Sequence, residues 1–206
     1  MNYGGDFMYT IKKVATPITD IFDAAWEKAE CANVDTINWP EYDYNPGMQA
    51  RLLYSDYGIH VKLTTQEQPL LARETKQNGD IYKDSCMEFF FSPKADDKRY
   101  INFEINPFGT MYLALRTGRK DPSFPVEDKR YFGIVSDVTD KEWNLAFTVP
   151  FAFIEKYFGG CDKVFRGNIY KCGDETVREH YVTYYPMPIN PPDYHRSDCF
   201  GEFVLE

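Results

Sequence analysis

The 206-residue chain is 17% aromatic, with sixteen Tyr, sixteen Phe and three Trp, and it is 43% hydrophobic and 27% charged. Lys and Arg number 23 against 32 Asp and Glu, for a formal charge of −9. That balance excludes a disordered chain and, with no basic stripe, a nucleic-acid partner. Every long apolar run is broken by a charge or a turn, so no helix for spanning a membrane is expected. The length fits one domain over 1–206, with 1–19 as an N-terminal extension or edge strand.

In chain order, Met1 to Tyr9 has neither a basic start nor an apolar run of signal-peptide length, which predicts a cytoplasmic protein. Asp20 to Cys31 reads as a short helix capped by Asp20. A two-residue alternation then dominates. It predicts strands over 48–54, 57–65, 85–92, 99–106, 109–116, 130–138, 143–149, 163–172, 177–185 and 199–205. Turn-like separators lie between them, such as Ser55-Asp56-Tyr57-Gly58 and Asn106-Pro107-Phe108-Gly109. Pro150 to Phe158 fits a second short helix, started by Pro150 and ended by Gly159-Gly160. Strands in runs, without alternating helices, predict an all-β fold. The expected form is an antiparallel β-sandwich, immunoglobulin-like or jelly-roll-like, with one or two short helices.

Strand faces carry the functional signal. In Ile101-Asn102-Phe103-Glu104-Ile105-Asn106 the odd positions are apolar and the even ones polar, and Phe165 to Tyr170 follows the same rule. The second face therefore offers Glu88, Asn102, Glu104, Asn106, Arg166, Asn168 and Tyr170, groups suited to planar hydrogen bonding. Cys31, Cys86, Cys161, Cys172 and Cys199 include no C-x-x-C pair, and His60, His180 and His195 have no zinc spacing, so free and mostly buried thiols are expected. Trp26 and Trp143 are expected as core anchors, Trp39 as a loop plug or a cleft wall, and His195 as a structural histidine.

Six segments in order resemble the family 9 carbohydrate-binding modules and the related DOMON-like β-sandwich domains, from Asp20 to Glu206. They are Ala50 to Val61, Tyr82-Lys83-Asp84-Ser85-Cys86-Met87-Glu88-Phe89-Phe90, Tyr100 to Thr110, Trp143 to Phe151, Arg166 to Lys171, and Asp193-Tyr194-His195-Arg196 with Phe200-Gly201. The resemblance implies non-catalytic binding of a soluble mono- or oligosaccharide, stacked between two aromatic side chains over a polar strand face. Carried over by motif, the aromatics fall on Tyr82 and Tyr184. The hydrogen-bonding positions fall on Glu88, Glu104, Asn106, Arg166 and Asn168. The family often has Arg where Glu104 stands, so a different ligand or orientation is implied. No cofactor is implied. Calcium is open, since the acidic turns Asp96-Asp97 and Asp137 to Asp140 could supply oxygens without an EF-hand pattern.

Two alternatives stand beside this. A glycoside hydrolase, or a hydrolase-associated role, would need two carboxylates flanking a bond, and only Glu88 and Glu104 offer themselves. A haem-binding DOMON-type domain would need Met and His ligands from Met48, Met87, Met111, Met187, His60, His180 and His195, and no spacing pairs them.

Overall fold

The alternating segments form strands throughout residues 8–120 and 122–206, which a computed structural model describes. The strands are β1 (Met8–Lys13), β2 (Ala32–Val34), β3 (Thr36–Ile37), β4 (Met48–Tyr54), β5 (Gly58–Thr65), β6 (Cys86–Ser92), β7 (Tyr100–Ile105), β8 (Met111–Arg116), β9 (Val135–Val138), β10 (Trp143–Pro150), β11 (Val164–Cys172), β12 (Tyr181–Thr183) and β13 (Gly201–Leu205). Helix α1 (Phe151–Phe158) follows Pro150 and ends on Gly159 in the left-handed conformation (φ 71°), where a side chain would be strained. Among the described residues no helix is long and apolar enough to cross a membrane.

One sheet runs β8-β7-β6-β11-β13-β1 and the other runs β4-β5-β10-β9. β1 links them. Its first half pairs with β13, Met8 opposite Glu202, and its second half pairs with β4, Lys12 opposite Leu53. Both pairings are parallel, so the sheet system is mixed and not purely antiparallel as expected. β1, within the expected N-terminal extension or edge strand over 1–19, stands at the end of each sheet it joins, Met8 to Ile11 pairing with β13 and Lys12 to Lys13 with β4, and its Tyr9 and Ile11 are core residues. The part of that extension over 1–7 lies outside the described residues.

The expected helix over Asp20 to Cys31 is only a 3₁₀ turn, Ala24–Lys28, capped by Asp23. Asp20 and Asp23 each accept a hydrogen bond from the backbone N–H two residues on (2.8 Å each), giving the chain local turns that compete with an α-helix. The predicted strands 130–138 and 177–185 shrink to their last and central residues for a similar reason, since Asp128 and Thr176 tie their starts into turns.

The odd positions of β6, β7 and β11 point between the sheets. There Phe89, Phe91, Ile101, Phe103, Phe165 and Ile169 join Val61, Leu63, Trp143 and Phe147 in the main core. The even positions do not face open solvent. A second cluster, Trp39, Phe90, Tyr100, Tyr170, Met187, Tyr194 and Phe200, packs on them under the long loops. Trp39 is the plug of this layer: it is buried and donates from Nε1 to the Ile189 carbonyl (2.7 Å). Trp26 and Trp143 are buried, as expected of core anchors.

Candidate functional site

The roof over the even face is incomplete, and the gap is a cavity of about 460 Å³. Antiparallel register builds its floor. Tyr170 on β11, Glu88 on β6, Glu104 on β7 and Tyr112 on β8 stand in one row, each opposite the next across the ladder. Residues directly opposite share a face, so the row is a consequence of strand parity alone. Glu88, Glu104 and Tyr112 line the cavity, and Tyr82 stands at its rim with 40% of its surface exposed. A 3₁₀ turn, Ile81–Lys83, places Tyr82 there.

The floor carboxyls are unusual in being almost fully buried, at 2% exposure for Glu88 and 6% for Glu104. Burial raises the Glu104 pKa to about 7, against the opposing effects of an Asn102 hydrogen bond and the Arg116 charge. Glu88 is pushed well above the ordinary carboxylate range, first by burial and then by the neighbouring Glu104 charge. Asp174, also in the wall, is raised by burial to about 6. Two like charges removed from water resist ionising together.

Guanidinium groups balance the acids. Arg116 donates from Nε to Asn102 Oδ1 (2.9 Å), from Nη1 to the Arg119 carbonyl (2.6 Å) and from Nη2 to the Tyr112 hydroxyl (2.5 Å). Asn102 in turn donates to Glu104 Oε1 (3.0 Å). The chain Glu104–Asn102–Arg116–Tyr112 thus fixes one carboxyl and one ring together. Arg119 is paired with Asp193 (2.9 Å), which ties β8's following loop to the closing segment. That segment supplies the far wall. Tyr194 stacks on Tyr170 (centroids 4.1 Å apart, 8° between planes), and His195 stacks on Phe90 and shares a hydrogen bond with the Tyr100 hydroxyl (2.9 Å). His195 is a structural histidine, as expected, whose pKa burial lowers to about 3.

Of the seven residues singled out by sequence, Tyr82, Glu88 and Glu104 come together in this cavity, and four do not. Tyr184 is corrected most clearly. It is 8% exposed and packs edge-on to Tyr9 in the main core (6.1 Å). The ladder places Tyr181 opposite Cys172, and the Tyr184 N–H bonds to the Ile169 carbonyl, so Tyr184 shares the core parity of Ile169. Tyr181, of opposite parity, is the ring that reaches the cavity. Asn106 donates to the Glu74 carbonyl (2.8 Å) and Asp84 (2.9 Å) and accepts from the Phe108 and Thr110 N–H groups, which makes it the clasp of its turn. Asn168 does the same for the late segment, accepting from the Tyr185 N–H and donating to the Tyr185 carbonyl. Arg166 lies two rows away and donates to the Phe200 carbonyl.

Sequence reasoning passed over Tyr112, Arg116, Arg119, Asp174 and Tyr181. Extending the even parity of Glu104 one strand further, onto β8, would have found Tyr112 and Arg116.

Beneath the floor, on the core side of β11, Lys171 is completely buried against Glu67 (2.6 Å) and the His180 ring (3.0 Å). Burial and the Lys171 charge lower the His180 pKa to about 3, so a neutral ring accepts from the ammonium while its Nδ1–H donates to the Arg178 carbonyl (2.7 Å). His60 is likewise neutral, lowered by burial to about 4 and held by Ser55 and Thr148 (2.9 Å each). Both ring nitrogens of His60 and His180 are engaged, which does not favour either as a haem ligand.

A family model described as carbohydrate-binding family 9 matches residues 20–205. Among solved structures, the chain is similar to a Bacteroides uniformis protein described as a presumptive carbohydrate-binding protein. The two are 26% identical with a TM-score of 0.83, covering 97% of this chain and 99% of the other. It also resembles a family 9 module from Caldicellulosiruptor kristjanssonii in complex with glucose (12% identity, TM-score 0.67, 96% and 95% covered). The structure of such a module with cellotriose is similar (11%, TM-score 0.66, 96% and 93%). No curated protein sequence matches.

Proposed function

The chain belongs to carbohydrate-binding family 9, and from that premise we propose that it binds a soluble mono- or oligosaccharide, without cleaving it, in the cavity over β6, β7 and β8. One observation carries the location. An exposed ring, Tyr82, stands at the rim of the same cavity whose floor holds Glu88 and Glu104. A pyranose presents two kinds of surface: C–H faces that stack on an aromatic ring, and hydroxyls that each need a donor and an acceptor. The cavity volume falls in the range of small-ligand sites, roughly 300–1,000 Å³. The solved family 9 module structures with glucose and cellotriose support the ligand class.

Tyr82 stacks on the sugar in this proposal, with Tyr112 and Tyr181 as the further ring faces. Glu88, Glu104 and Asp174 accept hydroxyl protons, and Arg119 donates. Hydrolysis is disfavoured by the same register that builds the floor. Glu88 and Glu104 rise side by side from one sheet face, so both meet the same side of a sugar, whereas acid and base must flank the bond they cleave.

A calorimetric panel of glucose, cellobiose, cellotriose and other small saccharides tests this, run on the parent protein and on Tyr82→Ala and Glu88→Gln. Saturable binding that both substitutions weaken is the expected result. Absence of binding to every sugar at millimolar concentration, or binding indifferent to both changes, would overturn it.

A further inference from the structure

One cluster in the floor holds two thiols that sugar recognition does not use. Cys86 stands directly opposite Cys172 across the β6–β11 ladder, and Glu88 follows two residues along on the same face. The two sulfur atoms and a Glu88 carboxylate oxygen all lie within 4.8 Å of one another. All three side chains are buried, at 0% for Cys86 and 2% for Cys172 and Glu88. The Cys172 thiol donates to Glu88 Oε1 (2.9 Å), which is the one hydrogen bond found on this carboxylate among the described residues. Glu88 is therefore a nearly buried acid whose second oxygen is turned toward the cavity without a protein donor.

We propose that Cys86, Cys172 and Glu88 form a site for a thiophilic divalent cation of the Zn²⁺ class. Ligands on a tetrahedral zinc ion at ~2.3 Å per bond stand about 3.8 Å apart. The trio reaches that spacing by small side-chain rotations, because register has already brought its backbones together. Binding displaces to solvent the two thiol protons and any proton held by Glu88, and the thiolates and carboxylate then carry three negative charges against the cation's two positive ones. Lys171, whose ammonium donates to the Cys172 carbonyl (2.9 Å), is already paired with Glu67 on the other face of β11, so the occupied site carries one net negative charge. Cys172 and Glu88 line the cavity, so the fourth coordination position opens toward it and is available to water or a ligand oxygen. The donor set, two soft sulfurs and one carboxylate, selects against Ca²⁺ and Mg²⁺, which take oxygen ligands alone. The site stands independently of the sugar reading.

The test is a Co²⁺ titration of reduced protein, without sugar, followed by thiolate-to-cobalt charge-transfer absorption and by displacement with Zn²⁺. Cys31, Cys161 and Cys199 are the other thiols, and a Cys31→Ser/Cys161→Ser/Cys199→Ser variant leaves the proposed pair alone. Its folding is confirmed by circular dichroism before titration. The expected result is one Co²⁺ per chain in this variant, with two thiolates bound and two to three protons released according to the protonation of Glu88. Adding Cys172→Ala is expected to weaken it by ~100-fold or more, and Glu88→Gln by ~10-fold with the thiolate band retained. A folded triple variant with no thiolate band would overturn the proposal. So would a band that persists in Cys86→Ala/Cys172→Ala, or an affinity unchanged by Glu88→Gln. Because no sugar is present, the sugar reading can fail while this site survives, and the reverse.

Discussion

Glu88 and Glu104 face each other across adjacent strands at the bottom of a cavity, each almost wholly removed from water. Their folded pKa values are raised, Glu104 to about 7, while an unfolded glutamate releases its proton near ~4.3. Between those values the native state holds more protons than the unfolded chain. Stability therefore falls as pH rises through that window, by at most about 1.4 kcal/mol per pH unit for each group. Below it, both states are protonated and the effect vanishes. Glu104→Gln is expected to flatten this slope and to exceed the parent in stability at about pH 8, while matching it near about pH 4. Urea unfolding across that range measures it.

The same ionisation bears on ligand affinity. A carboxylate accepts a hydroxyl proton more strongly than a neutral acid does. Sugar affinity is expected to rise as pH increases through about 7, and Glu104→Gln should remove most of the rise. Calorimetry at three pH values on both proteins checks it, and an unchanged slope in the variant would assign the effect elsewhere.

Tyr82 and Tyr184 should separate cleanly. Tyr82→Ala removes a rim ring and is expected to weaken sugar binding about fivefold, for ~1 kcal/mol of stacking, with little change in stability. Tyr184→Ala excavates the main core beside Tyr9 and is expected to cost about 3 kcal/mol of stability, leaving the affinity of the folded fraction nearly unchanged. Paired urea and sugar titrations read both effects.

The buried Lys171–Glu67 pair gives another contrast. Glu67→Leu strands an ammonium in the interior, a change worth about 3–5 kcal/mol. The double variant Glu67→Leu/Lys171→Met removes both charges and is expected to recover much of the loss. Comparing the two midpoints of denaturation decides whether charge isolation or lost packing dominates.

Gly58 is required by a close approach. A Cβ there would lie 2.3 Å from the Val149 carbonyl oxygen of the paired strand. Since both atoms belong to backbone, Gly58→Ala must open the β5–β10 ladder, and a loss of about 1–3 kcal/mol is expected in urea unfolding.

Much of this architecture was legible because β7 alternates cleanly and β6 and β11 do so over most of their length, with Phe90 and Lys171 as exceptions. Parity alone put Phe89 and Phe103 in the core and Glu88 and Glu104 on the other face. Parity failed where the strand was short. β12 has three residues, and Tyr181, Tyr184 and Tyr185 are indistinguishable until the ladder to β11 fixes which one faces the cavity. Asn106 and Asn168 were expected to hydrogen-bond a sugar, and both instead bond within the fold. Their partners are backbone groups of Glu74 and Tyr185, contributed by loops that no periodicity describes. The even face was expected to be wet, and the Pro-rich closing segment instead packs on part of it, leaving the cavity that Tyr82 borders.

The placement of β1 also bears on assembly of the chain during synthesis. Tyr9, near the start of the sequence, pairs with Phe203 of β13, near its end. β1 leaves the ribosome long before β13 does, so its apolar residues must wait for the strand that covers them. Each sheet can gather its nearer hairpins first, β6 with β7 and β8, and β4 with β5. The seam between sheets closes late, and a nascent chain halted before β13 would hold two half-built layers with an exposed β1 edge between them, an invitation to chaperones and to misassociation.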